Sequence, residues 1–139
     1  MTTYALDTNA VIDVLNGRRP AVRERWRRAI SAGASITISS VVLFELWYGV
    51  ASAGRRRENA ERLHVFLSGD VETIAFDDED ALAAGDLRAI LAAAGTPIGA
   101  YDLLIAAQTL RSRATLVTAN VAEFGRVPGL AWEDWTAEV

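Results

Sequence analysis

The chain has 139 residues, of which 51% are hydrophobic and 23% charged, and its formal net charge is −4. It contains no cysteine, no lysine and one histidine, which excludes disulfides, cysteine-ligated zinc, thiol or lysine nucleophiles and a lysine-bearing phosphate loop. We expect residues 1–139 to form one domain. With no signal peptide and no membrane-spanning run evident, we expect a cytoplasmic protein without membrane contact.

In the first half of the chain, short apolar runs alternate with helical patterns. One helix, placed after Pro20, carries Val22, Trp26 and Ile30 at four-residue spacing. A later helix is capped by Ser39 or Ser40 and is apolar on almost every face, so we predict that it is buried. The predicted elements are a strand at residues 4–6, helices at 9–15 and 20–30, a strand at 36–38 and a helix at 40–50.

The second half continues the same alternation. The predicted elements are helices at 58–67, 78–94 and 100–110, with strands at 71–74 and 115–117. In the long helix we expect an inward-facing set made of Leu82, Leu87, Ile90, Leu91 and Ala94. Such alternation predicts an α/β fold with three α/β/α layers around a mostly parallel sheet. Ligands of such sheets bind at the carboxyl ends of the strands.

Arginines form two dense groups although the chain is acidic overall. Basic patches of this kind can bind phosphates, and a solvated helix face with a loop is an equally good interpretation. The only histidine, His64, lies in a charged helical stretch and is expected at the surface. The two groups consist of Arg18, Arg19, Arg23, Arg25, Arg27 and Arg28, and of Arg55, Arg56 and Arg57.

Three acidic residues lie where a simply solvated carboxylate is not expected. Asp7 directly follows the first predicted strand, Glu45 lies inside an apolar helix, and Asp102 lies in the first turn of another. A buried carboxylate is costly unless it is paired or binds a metal, and the positive end of a helix favours an anion such as Asp102. The alternatives are an arginine partner for Glu45 and a helix-capping role for Asp102.

Oxygen ligands of this kind select hard cations such as Mg²⁺ and Mn²⁺. We therefore predict that Asp7, Glu45 and Asp102 hold one, which would support phosphodiester hydrolysis without histidine, cysteine or lysine. Two other α/β classes place an aspartate after the first strand. A haloacid-dehalogenase phosphatase requires a second aspartate where this chain has Asn9, and both it and a response-regulator receiver require a lysine.

Four segments, in order and at suitable spacing, carry a family resemblance. They are residues 6–9 (LDTN), 38–40 (ISS) with 45–49 (ELWYG), 97–107 (PIGAYDLLIAA), and 116–120 (LVTAN) with Glu123 and Phe124. The closing segments 126–130 (RVPGL) and 133–135 (EDW) also match. Over nearly its whole length, the chain resembles the PIN-domain ribonucleases of the VapC toxin type.

The resemblance implies a PIN fold, Mg²⁺- or Mn²⁺-dependent endoribonuclease activity and the toxin role in a type II toxin–antitoxin pair. It also implies a homodimer, an RNA substrate and a cognate antitoxin whose tail occupies the active-site groove. Asp7, Glu45 and Asp102 match three acidic positions of the family, and the fourth, often aspartate, falls on Asn120. We expect Asn120 to orient a water or support a weak second metal ion, while Asp7 and Asp102 hold the tight one.

Some assignments stay open at the level of sequence. Asp86 shares a helical stripe with apolar residues, and a structural role is favoured for it over a catalytic one. Phe44, Trp47 and Tyr48 are predicted to help form the antitoxin groove, although Trp47 fits the core better. The runner-up function is a non-catalytic PIN module that binds RNA or protein, which the intact acids disfavour. A third candidate function is a DNA nuclease, against which the sequence offers little evidence.

Overall fold

Every strand of the sheet is short and runs parallel to its neighbours. The computed structural model describes residues 1–137, so residues 138–139 of the predicted domain lie outside the described part. The strand order is β3-β2-β1-β4-β5, which places the N-terminal strand at the centre. The strands are β1 (Thr3–Leu6), β2 (Ser35–Ser39), β3 (Glu72–Ile74), β4 (Thr115–Val117) and β5 (Trp132–Glu133).

The helices connect successive strands and confirm most of the predicted elements. Only α7 and β5 were not predicted, because four and two residues are too few to show a periodicity. None of the helices within residues 1–137 is long and apolar enough to cross a lipid bilayer. The helices are α1 (Thr8–Asn16), α2 (Pro20–Ser31), α3 (Ser40–Ser52), α4 (Arg56–Leu67), α5 (Asp78–Ala93), α6 (Ala100–Ser112) and α7 (Val121–Phe124).

Both faces of the central sheet are covered, as the predicted three-layer arrangement requires. Ile36, Thr37 and Ile38 of β2 are buried one after another, and so are Leu116 and Val117 of β4. Because successive side chains of a strand point to opposite faces, consecutive burial means that helices pack on both sides. This confirms the α/β fold with an entirely parallel sheet.

Polar caps start several helices at or near the carboxyl edge of the sheet. The Asp7 carboxylate accepts the backbone N–H of Ala10 at 2.8 Å and so begins α1. Ser39 caps α3 through the N–H of Val41. Such caps satisfy helix N–H groups that have no partner inside the helix. The strand-to-helix junctions therefore point helix N-termini toward the side of the sheet where ligands are expected.

Two helices are less buried than their composition suggested. In α3 the buried residues are Val42 and Leu46, whereas Phe44 is 54% exposed and Tyr48 68% exposed. The expectation that α3 is buried on almost every face is therefore wrong. In α5, Leu82 is also exposed, at 69%. Each helix packs along one stripe only, and composition alone does not reveal which apolar residues lie on that stripe.

The first arginine group is largely committed to contacts within the fold. Arg23 donates to the carbonyl oxygens of Val14 and Leu15, the last turn of α1, at 2.8 to 3.1 Å. Arg25 donates to the carbonyl of Asp134 and pairs with Glu133. These two arginines are thus structural, and the early group is a weaker candidate for a phosphate-binding patch than its sequence density suggested.

Arg23→Ala is expected to lower the free energy of unfolding by about 1.5–3 kcal/mol, because charged hydrogen bonds to otherwise free helix carbonyls are lost. Arg27→Ala in the same helix is the matched control, since Arg27 is exposed and makes no side-chain hydrogen bond or ion pair with residues 1–137. Urea unfolding of both variants measures the difference. Equal stabilities of the two variants would contradict the capping role of Arg23.

Candidate active site

The predicted site residues come from separate elements that meet at the carboxyl edge of the sheet. Asp7 directly follows β1, and Glu45 lies on α3, which begins where β2 ends. Asn120 follows β4, and Asp102 lies in the first turn of α6. The negative charges of Asp7 and Glu45 both raise the pKa of Asp102, so the three carboxyl groups lie within each other's electric field.

Asp7 is the most enclosed of these acids, with 6% of its surface exposed. Burial raises the pKa of Asp7, and the charges of Asp13 and Glu45 raise it further. Hydrogen bonds from Thr118 and from the backbone of Ala10 act in the opposite direction. The side chain is therefore held in one place by two donors while its negative charge is poorly solvated.

Glu45 is held by a neutral partner. The hydroxyl of Thr8 donates to Glu45 Oε1 at 2.8 Å, which links the start of α1 to the middle of α3. No arginine forms an ion pair with Glu45 within residues 1–137. The alternative of an arginine partner is therefore wrong, and no arginine of residues 1–137 competes with a ligand for this carboxyl group.

The side chain of Asp102 is hydrogen-bonded to that of a second acid, Glu123, which lies on α7. Burial, followed by the hydrogen bond and the charge of Glu123, raises the pKa of Asp102 to about 7. The same hydrogen bond lowers the pKa of Glu123, so the pair shares one proton near neutral pH. The N-cap of α6 is Gly99 and has no side-chain cap, so the capping role considered for Asp102 is wrong.

Glu123 is the site residue that the sequence analysis did not assign. Its Oε1 accepts the backbone N–H of Gly99 at 2.7 Å, and its Oε2 accepts Asn120 Nδ2 at 2.8 Å. The available signal was its spacing, one helical turn after Asn120 and in the same quoted segment. We define the acidic cluster as Asp7, Glu45, Asp102 and Glu123.

Asn120 presents its amide nitrogen to this cluster. Because a carboxylate only accepts hydrogen bonds, the contact with Glu123 fixes the direction of the Asn120 side chain. Its carbonyl oxygen is therefore turned away from Glu123. Asn120 acts here as an orienting group for an acid.

Asn120→Ala is expected to weaken Mn²⁺ binding about 10- to 100-fold, the usual cost of losing a group that orients a metal ligand. Asn16→Ala is a suitable control, because Asn16 is exposed and its side chain accepts only the local N–H of Arg18. Calorimetric titration of both variants with Mn²⁺ provides the comparison. Unchanged affinity in Asn120→Ala would show that Glu123 needs no orienting partner.

The acidic cluster fits a hard divalent cation in its chemistry. Within residues 1–137, no three Asp, Glu or His side chains are arranged as a complete metal-binding group. The donors are nevertheless all oxygen, and a cation held by Asp102 and Glu123 would displace the proton of that pair. Gly99 leaves room there, since an added Cβ would lie 3.4 Å from Glu123 Oε1 and 3.5 Å from Asp102 Oδ2.

An apolar groove opens beside Glu45, between α1, α3 and α4. Its volume is about 270 Å³. Asn59 and Arg62 of α4 contribute polar groups to its wall. The apolar lining consists of Ile12, Leu15, Leu46, Val50 and Leu63. An amphipathic segment of a partner could therefore bury apolar side chains directly beside the acidic cluster.

Other singled-out residues lie outside the cluster. Asp86 is exposed on α5, on the same outer face as Leu82 and Ile90, so the expectation that this stripe points inward is wrong. His64 is exposed, as predicted, and its ring lies 5.0 Å from that of Trp47. Trp47 is half-buried against the core and does not line the groove.

Comparisons with known proteins agree with this architecture. The model of the PIN domain family matches residues 4–130. Ribonuclease VapC2 of Rickettsia felis is 39% identical over 132 residues, covering 95% of this chain and 97% of the relative. The tRNA(fMet)-specific endonuclease VapC of Salmonella typhimurium is 36% identical over 135 residues, covering 97% and 99%.

A solved structure gives the same result for the fold. The crystal structure of VapBC2 from Rickettsia felis, bound to a DNA fragment from its promoter, matches with a TM-score of 0.89 and 36% identity. The match covers 96% of this chain and 99% of the other. The chain thus belongs to the PIN domain family, and within it to the VapC group.

Proposed function

We propose that this protein is the toxin of a type II toxin–antitoxin pair and an endoribonuclease that depends on Mg²⁺ or Mn²⁺. The observation that carries this proposal is the acidic cluster, whose carboxyl groups lie at the start of α1 and on α3, α6 and α7. Burial, followed by the hydrogen bond and charge of Glu123 and the charges of Glu45 and Asp7, raises the pKa of Asp102 to about 7. Clustered acids with a raised pKa are characteristic of functional sites, and a bound cation would offset the cost of the burial.

In this proposal Asp7, Glu45 and Asp102 hold the cation, and Glu123 joins them or anchors Asp102. Mg²⁺ or Mn²⁺ held there would supply charge stabilisation at the phosphate and lower the pKa of a water molecule. The protein keeps Asp7 fixed through Thr118 and Ala10, and Glu45 through Thr8. Fixed ligands need little rearrangement when charge develops on the phosphate, which favours hydrolysis.

The groove between α1, α3 and α4 is the proposed binding place for the antitoxin. It is apolar, it borders Glu45, and it contains Arg62, so an amphipathic segment with an acidic residue would suit it. The Rickettsia felis structure similar to this chain is a VapBC complex. We further propose a homodimer acting in the cytoplasm, where RNA and an antitoxin are both encountered.

RNA cleavage by the purified chain tests the proposal. The Salmonella typhimurium relative is a tRNA(fMet)-specific endonuclease, so tRNA(fMet) is the first RNA to examine. We expect cleavage with Mg²⁺ or Mn²⁺, none with EDTA, and no 2′,3′-cyclic phosphate product, because water rather than the 2′-hydroxyl attacks. RNA binding without cleavage under all metal conditions would favour the non-catalytic module, and equal cutting of matched DNA would favour a general nuclease.

A further inference from the structure

The turn that leads into α6 is held by two side chains from one short segment. Residues 96–99 form no regular secondary structure, and Pro97 has no backbone N–H. Arg126 Nη1 donates to the carbonyl oxygen of Pro97 at 2.9 Å, and Glu123 Oε1 accepts the N–H of Gly99 at 2.7 Å. No other side chain of residues 1–137 forms a hydrogen bond with this turn. We call these contacts of Glu123 and Arg126 the two-point clamp.

The two-point clamp is built on a firmly anchored segment. The backbone N–H of Arg126 donates to the carbonyl oxygen of Glu123 at 3.0 Å, so the two residues lie on one tight turn. Phe124 and Val127, in the same segment, are 1% and 4% exposed and belong to the hydrophobic core. Close packing of these two side chains fixes the segment, while the Arg126 side chain stays exposed above it.

The first turn of α6 depends on this clamp for its position. The N-cap of the helix is Gly99, which has no side chain to cap it, and the N–H of Leu103 donates to the Gly99 carbonyl at 2.9 Å. A helix end without a cap frays readily. Asp102 lies within this turn, so a displacement of residues 97–99 would move its carboxyl group away from the other acids of the cluster.

Arg126 is also a cation beside an acidic cluster. Hydrogen bonds with Asp102 and with the N–H of Gly99 lower the pKa of Glu123, and the positive charge of Arg126 acts in the same direction. The guanidinium therefore lies within the electric field of the cluster. On charge alone, loss of Arg126 would strengthen the binding of a divalent cation, because like charges repel. A role in holding Asp102 in place predicts the opposite result.

We propose that Arg126 is a positioning residue of the active centre, which holds the start of α6, and with it Asp102, against the acidic cluster through the carbonyl of Pro97. This inference rests on the proposed metal-dependent function. Arg126 acts through the turn and does not itself bind the cation. The competing role is a direct contact between this exposed guanidinium and an RNA phosphate, which the experiment separates from positioning.

Calorimetric titration of the RNA-free chain with Mn²⁺ tests the proposal. Arg126→Ala is expected to bind Mn²⁺ about tenfold more weakly, the lower end of the usual cost of losing a group that orients metal ligands, since the lost positive charge partly compensates. Arg126→Lys should restore most of the affinity, because only one Arg126 nitrogen donates to Pro97 and a lysine ammonium can replace it. Unchanged or tighter Mn²⁺ binding in Arg126→Ala would overturn the positioning role.

Arg88→Ala is the matched control. Arg88 is exposed on α5, and its side chain forms no hydrogen bond or ion pair with residues 1–137. RNA binding, measured in the Asp7→Asn background so that the RNA stays intact, should change no more in Arg126→Ala than in Arg88→Ala. Weakened RNA binding in Arg126→Ala, with unchanged Mn²⁺ affinity, would identify Arg126 as a phosphate contact and overturn the proposal.

Hydrogen exchange followed by mass spectrometry tests the turn without any ribonuclease activity. Exchange over residues 99–103 should be faster in Arg126→Ala than in the unsubstituted chain, because these hydrogen bonds open more often. Unchanged exchange means that Arg126 does not hold the turn, whether or not the chain cleaves RNA. If the turn loosens and Mn²⁺ binding weakens while the unsubstituted chain never cleaves RNA, the ribonuclease function fails and the positioning role stands. Absence of Mn²⁺ binding in the unsubstituted chain would overturn both.

Discussion

Asp7→Asn is expected to reduce RNA cleavage by at least about a thousandfold while the protein stays folded. A metal ion stabilises the transition state by several kcal/mol, and each 1.4 kcal/mol corresponds to a factor of ten. Asn keeps an oxygen that can accept the Ala10 N–H, so the cap of α1 survives. The substitution removes the negative charge of the most buried carboxylate in the acidic cluster. The electrostatic attraction for the cation is lost with that charge.

The control for Asp7→Asn is the same substitution at an aspartate outside the acidic cluster. Asp86→Asn removes one charge from the exposed face of α5 and should leave the cleavage rate near that of the unsubstituted chain. Circular dichroism and thermal unfolding establish that both variants are folded. Substantial activity in Asp7→Asn, or an equal loss in Asp86→Asn, would contradict the assignment of the cluster as the catalytic centre.

Mn²⁺ binding is expected to weaken about tenfold for each pH unit below 7, because the cation must displace the proton shared by Asp102 and Glu123. Above pH 7 that proton is already lost and the affinity should level off. Titration with Mn²⁺ between pH 5.5 and 8 (a range set about the pKa of about 7) measures the slope. In Glu123→Gln, Asp102 loses its acidic partner, so the pH at which the Mn²⁺ affinity levels off should be lower. Equal affinity at pH 6 and 7 in the unsubstituted chain would contradict the shared proton.

The raised pKa of Asp102 also makes the free energy of unfolding depend on pH in a definite direction. The pKa of Asp102 is raised from 3.8 to about 7 in the folded protein, so the folded state binds the proton more tightly than the unfolded state. Its contribution to the free energy of unfolding is complete below pH 3.8 and is lost as the pH rises toward 7. Added Mn²⁺ should therefore raise the melting temperature more at pH 8 than at pH 5, which differential scanning fluorimetry can follow.

The sequence predicted the fold, and it named most residues of the candidate site, because their signals are local. β1 is a short apolar run followed at once by Asp7, and parallel strands collect such residues at one edge. Glu45 and Asp102 stood out because each interrupts an apolar helix. These patterns depend on neighbours in the chain, so they need no knowledge of the packing.

Other features depend on which elements touch, and composition does not report that. Phe44 and Leu82 are apolar yet exposed, because α3 and α5 each pack along a single stripe. Asp80, in contrast, is buried by its capping contact with Asp77 and its pairing with Arg111. Glu123 escaped notice because α7 is one turn long, and its role is visible only once Asp102 and Gly99 lie beside it.

The strand order has a consequence for how activity arises during synthesis. The central strand β1 leaves the ribosome first, but one of its two neighbours, β4, is made only after residue 114. The acidic cluster likewise joins Asp7 to Glu123, which follows it by 116 residues. A chain shortened before β4 and α7 lacks one neighbour of the central strand and also Glu123, so it cannot assemble the site.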